Sequence, residues 1–332
     1  MAHELDTKSN GQAAMAYVGE KAWHGLGQAL TAESTIDEWK VEAGMDWMAE
    51  VTPVIFQAGG KTFRQNSKNV LYRNDTLAPL SIVSSKYKIV QPDEILEFFT
   101  SLTSDAGFQM ETAGCLYGGK KLWALAKTGK SVKIAGVDEI KPYLLLGTSM
   151  DGSMATSAHF TSVRVVCNNT LRMAIGNNGQ RAQIKIPHMA AFNSDAVKVD
   201  LGLAADAWDS FIESAQTLTT IKLDREEAIQ IVASEMKNNW LDADGNSMLP
   251  MQMVENSKEL KAIMDLYNGQ GLGSQLISAK NTAWGLVNAV TQYMDHESPS
   301  KGVDRSKQFD RAQFGDRANF KTNVANKLLD LI

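Results

Sequence analysis

Between Lys61 and Trp123 the sequence interleaves cations with flat rings: Lys61, Phe63, Arg64, Lys68, Tyr72, Arg73, Lys86, Tyr87, Lys88, Tyr117, Lys120, Lys121 and Trp123. Cations along a groove neutralise phosphates, and rings between them give bases a face to stack on. That is the chemistry of single-stranded nucleic-acid binding. The same residues also suit the solvent face of any hairpin sheet. Arg164 stands between Val163 and Val165, and an arginine in such a strand calls for a phosphate or a carboxylate. A buried ion pair would satisfy it equally. The candidate nucleic-acid-binding residues are Lys61, Arg64, Lys68, Arg73, Lys86, Tyr87, Lys88, Lys120, Lys121 and Arg164.

Other chemistries find less support. The histidines His3, His24, His159, His188 and His296 include no pair at ligand spacing. Asp295-His296-Glu297 reads as a capped, solvated helix end. Asp242-Ala243-Asp244-Gly245-Asn246 starts like a calcium loop, but its glycine is misplaced and no closing glutamate falls in register, so a surface turn is expected. Gly269-Gln270-Gly271-Leu272-Gly273-Ser274 is glycine-rich but follows a predicted helix, where a phosphate cradle follows a strand. Cys167 and His159 would share a strand face beyond hydrogen-bond reach, so Cys167 is expected to be structural. No catalytic residue, metal or cofactor is expected.

Charge is unevenly spread. Residues 1–60 hold 3 Lys/Arg against 9 Asp/Glu, residues 61–190 hold 16 against 9, and residues 191–332 hold 14 against 20. A basic block inside an acidic chain suits a polyanion-binding surface. It equally suits charge pairing within the fold or between subunits. Two distant cysteines, no secretory signal and no run long enough to span a membrane predict a soluble cytoplasmic protein with free thiols.

The elements that must position these residues follow from pattern. Residues 1–30 read as an arm ordered by packing on something else. Thr35 to Gly44 is a short helix, with Thr35 as cap and Glu38 completing a capping box. Strands are predicted at 51–56 and 61–64 across Gly59-Gly60, then at 69–73 and 80–83, and Pro53 argues for an edge. A helix starts at Gln91-Pro92-Asp93-Glu94 and buries Ile95, Leu96, Phe98, Phe99 and Leu102. Residues 108–117 and 121–127 form a hairpin over Gly118-Gly119. Further strands lie at 143–146 and 158–166, and Thr170 to Ile175 continues as a helix capped by Asn168 or Asn169. From Asp200 the period is helical, with helices near 204–215, 225–240, 257–267, 282–295 and 319–332. The fold class is therefore α+β. An antiparallel β-rich N-terminal and middle part with a crossing helix precedes a helical C-terminal part. The expected division is an arm and short helix over 1–48, a basic β-rich core over 49–195 and a helical region over 196–332.

Several of these stretches also carry a resemblance. Trp23-His24-Gly25-Leu26-Gly27, Ser84-Ser85-Lys86-Tyr87-Lys88-Ile89-Val90-Gln91, Asp151-Gly152-Ser153 and Arg164-Val165-Val166-Cys167-Asn168-Asn169-Thr170-Leu171 are four of them. Asn281-Thr282-Ala283-Trp284 and Asn288 to His296 complete the set. The chain resembles the phage/plasmid-like protein family, a domain of unknown function of bacteriophages, prophages and plasmids. That resemblance implies a mobile-element context and supplies no catalytic residues. In layout, the Tyr87 strand followed by the Ile95–Leu102 helix is similar to the core of Erf- and RecT-type single-strand annealing proteins. The expected function is single-stranded DNA binding and annealing in recombination or replication, without enzymatic activity, by a homo-oligomeric ring or filament. One alternative is an accessory protein that captures a host defence protein. Another is a small-molecule-binding protein or unrecognised enzyme using residues 151–169.

Overall fold

The computed structural model describes residues 6–19, 26–106, 108–128, 131–164, 169–172, 183–193, 195–197, 205–298, 311–312 and 314–331. It is an α+β fold. A nine-stranded sheet is built from β1 (Met15–Val18), β2 (Gln28–Leu30), β6 (Gln109–Leu116), β7 (Lys121–Lys127), β8 (Val132–Ile134), β9 (Asp138–Ser149), β10 (Thr156–Arg164), β11 (Asn169–Arg172) and β12 (Gln183–Ile186). The order is β11-β10-β9-β7-β6-β1-β2, with β12 also on β10 and β8 also on β9. The β1–β2 pair is parallel and the other pairings are antiparallel. A separate three-stranded sheet runs β3 (Ala49–Ala58), β4 (Lys61–Arg73), β5 (Pro79–Ser84).

Helix α1 (Ile36–Glu42) carries the expected capping box between Thr35 and Glu38. Helix α2 (Pro92–Ala106) crosses β6 and β7 and buries Ile95, Leu96, Phe98 and Phe99. The helical half comprises α3 (Ala205–Thr220), α4 (Arg225–Glu235), α5 (Pro250–Asn256), α6 (Lys258–Asp265), α7 (Ala283–Gln292) and α8 (Asp316–Leu329). All ten residues of α7 are buried, as expected of a helix enclosed by its own fold. Asp138, buried at the start of β9, accepts hydrogen bonds from Trp284 Nε1 at 3.0 Å and Ser278 Oγ at 3.1 Å, tying sheet to helices. One hydrophobic cluster runs from Ala14 to Leu328 through all of these parts. No helix among the described residues is long and apolar enough to cross a membrane.

Several expectations are corrected. Residues 170–172 are strand, not helix: Asn169–Arg172 pairs antiparallel with Thr161–Arg164 of β10, and a vacant strand edge outweighs local helical preference. Asn169 thus lies within the strand rather than before a helix at Thr170, while Asn168, Cys167 and residues 173–175 lie outside the described residues, as do His3 and Trp23-His24-Gly25. Residues 69–73 continue β4 rather than forming a strand of their own. Tyr87 follows β5 in an irregular segment, not a strand. Helix α4 stops at Glu235, where Met236 is extended, and α5 begins with Pro250 at its first turn, unpredicted. Asp295 is not at a solvated helix end. The chain winds on from α7 as a π-helical turn, Tyr293–Glu297, and buried Asp295 meets Lys321 Nζ at 2.7 Å.

Candidate nucleic-acid interface

Gly59 and Gly60 have φ of 55° and 72°, as a two-residue hairpin turn with both central residues left-handed requires. Ala58 pairs with Lys61 across it, and Phe56 pairs with Phe63. Strand β5 covers β4 only between Lys68 and Tyr72. Beyond that point the hairpin is two-stranded, and its outer part, Val54 to Ala58, extends roughly 15 Å. The register shifts between Pro53 and Val54, and such a bulge bends and twists the strand. Proline sits on an edge strand, as expected.

This arm is exposed on both faces. Phe56 is 50% and Phe63 43% exposed, and their rings stack at 5.4 Å and 21°. By strand alternation Lys61 shares the Phe63 face, while Arg64 and Ile55 share the other. Lys61, Arg64 and Lys68 are exposed and form no ion pair among the described residues. Residues 51–70 contain no Asp or Glu.

The remaining candidates divide. Lys86 and Lys88 are exposed at the foot of the arm. Tyr87 donates to the Ser149 carbonyl at 2.8 Å and stacks on His188 at 4.6 Å, and burial pushes its hydroxyl pKa well up. Lys120, half-buried, accepts from Met150 N at 2.6 Å through its carbonyl. Lys121 lies 5.8 Å from the Tyr117 ring centre. These contacts gather Tyr87, Lys120 and Lys121 around the Ser149–Met154 turn at one end of the large sheet. Arg73 is committed elsewhere: it forks onto Asp75 at 2.9 and 2.6 Å and covers Trp47 at 4.4 Å. That hydrogen bond holds the Asp75 carboxyl below its ordinary value. Arg164 pairs with Ile140, seven residues along β10 from the Ser157–Gly147 pair near the turn, so its backbone lies roughly 23 Å away. The rings expected to stack on bases are largely occupied, since Tyr72 donates to Glu50 at 2.7 Å and Trp123 is buried. Phe56, absent from the sequence-based set, joins Phe63 as the exposed pair.

Elsewhere, the Asp242 carboxylate accepts from Asp244 N and Asn246 N at 3.0 and 2.8 Å, the surface turn expected there. A pocket of about 570 Å³ lies between Lys222, Arg225, Tyr267 and Asn281, away from residues 151–169. Its Asp224 and Glu227 form the α4 capping box.

Among family models, one described as Domain of unknown function (DUF932) matches residues 79–314. The chain belongs to this family. The match begins at the first residue of β5, so it includes Lys86, Lys88, Lys120 and Lys121, and the arm precedes it. No curated protein and no solved structure matches the sequence.

Proposed function

We propose that this DUF932 protein is a non-enzymatic, single-stranded DNA-binding and annealing protein of phage or mobile-element origin. The observation that carries this reading is the arm. Three exposed cations, Lys61, Arg64 and Lys68, stand on the part of the hairpin that holds no acidic residue, 51–70, with the exposed Phe56–Phe63 pair. The cations would neutralise phosphates, the phenylalanines would stack on unpaired bases, and Lys86 and Lys88 would extend the track at the arm's foot. Paired bases stack on each other, so their faces are closed to the rings. Annealing is downhill and needs no nucleotide cofactor. Arg73 and Arg164 leave the proposed contact set, the first because it is engaged by Asp75 and Trp47, the second because of its distance.

The test is titration of labelled single- and double-stranded oligonucleotides over a salt series. Single-strand preference with steep salt dependence is expected. Lys61→Glu with Arg64→Glu should lower the magnitude of the log–log salt slope by about 1.4, from the loss of two phosphate contacts. Absence of binding at low salt would overturn the reading.

A further inference from the structure

The arm has a counterpart in the helical half of the chain. Residues 238–256 contain Asp242, Asp244 and Glu255 and no Lys or Arg, whereas residues 51–70 contain Lys61, Arg64 and Lys68 and no acid. The two segments are thus equal and opposite in formal charge. Both also expose large apolar side chains. The arm shows Val51, Ile55, Phe56 and Phe63, and the second segment shows Leu241, Leu249 and Met251. That second surface is well formed. Leu241 bridges to Ser247, Met248 N donates to the Trp240 carbonyl at 2.9 Å, and Trp240 Nε1 donates to the Ala233 carbonyl of α4 at 2.8 Å. Exposed apolar side chains set among charges of one sign suit an interaction site, and opposed potentials select its partner.

Within one chain neither surface covers the other, since both are exposed. We infer that the arm of one copy docks on the Leu241–Glu255 surface of a second copy. The contact joins two different surfaces, so it is head-to-tail, and each added copy presents a fresh arm and a fresh acceptor. Such an interface propagates into a ring or a filament. It depends on the arm's charge and apolar rings, not on what nucleic acid does. Nucleic acid and the acceptor surface would compete for the same cations and rings, so docking and strand binding are alternative uses of one arm, and for that reason the test contains no nucleic acid.

Sedimentation velocity on the full chain, over a concentration series at low and high ionic strength, reads the assembly directly. The expected result is growth beyond a dimer with concentration and its loss on adding salt. Phe56→Ser with Phe63→Ser in the arm, or Asp244→Lys with Glu255→Lys in the acceptor, should each leave a monomer. An equimolar mixture of these two variants should form a one-to-one dimer and stop there, because it holds one working arm and one working acceptor. Lys61→Glu with Arg64→Glu provides a second arm variant if the serine pair fails to fold. A wild-type chain that stays monomeric at every concentration would overturn the inference. So would assembly that persists in either variant, or a mixture that stays monomeric.

Discussion

Phe56 and Phe63 are the side chains whose removal separates binding from folding. Both are exposed and touch each other across the hairpin, so Phe56→Ala should leave the melting temperature nearly unchanged. A base stacked on such a ring contributes about 1–3 kcal/mol, so single-strand affinity should fall roughly 5- to 150-fold, measured by fluorescence anisotropy. Arg73 gives the opposite contrast. Its partner Asp75 has a carboxyl pKa lowered from 3.8, chiefly by the hydrogen bond from Arg73. A depressed carboxylate contributes stability above its unfolded value and loses it as pH falls through the folded value. Asp75→Asn should therefore flatten the acid limb of a stability–pH curve below about pH 3.8 and leave neutral affinity for DNA intact. Neither residue's role was legible from its type. Val54-Ile55-Phe56 is an apolar run on an edge strand, with side chains pointing both ways, and that pattern was the available signal that one ring would face water. Arg73 looked like any other cation because its partners, Trp47 and Asp75, are set by the β4–β5 turn and the packing around it.

The elements were more legible than the side chains they carry. Helix starts with a polar cap and a glutamate three residues on, Thr35–Glu38 and Asp224–Glu227, stand where local hydrogen bonding places them. The Gly59-Gly60 and Gly118-Gly119 hairpins follow from residues that accept positive φ. Strand β11 was not legible, because its conformation is decided by the edge of β10, a tertiary fact. Gly119 shows how tightly such a turn can be held. Its φ is 88°, and an added Cβ would sit 2.7 Å from the Trp47 ring. Gly119→Ala should therefore destabilise the packing of this turn on Trp47, by about 1–3 kcal/mol for strain and overpacking together, measured by chemical denaturation. The π-helical turn after α7 makes a second case. Asp295 and Lys321 are buried as an ion pair, so Lys321→Met, which removes this ammonium from a buried carboxylate, should cost about 3–5 kcal/mol. Replacing both residues by apolar ones should recover most of that loss.

The two sheets and the helical layer share one core, yet they are unequal in exposure. Heat or denaturant should melt the core cooperatively, whereas the arm stands outside it and should fray on its own. At high salt and low protein concentration, where arms are undocked, hydrogen exchange would show this as rapid exchange at residues 54–65 against the slowest exchange in α7, where every side chain is buried. Equal protection of the two would contradict an unsupported arm. Strand β1 has a different consequence, one of time rather than of stability. It lies inside the large sheet between β2 and β6, and Met15 pairs with Gly114. A ribosome adding about 5–20 residues per second leaves β1 without its β6 neighbour for on the order of 5–20 s. During that interval Met15 to Val18 is a sticky strand with one edge unpaired. The sheet must then open a slot for an early-made segment or wait to close around it, so the nascent chain is most vulnerable to aggregation before β6 emerges.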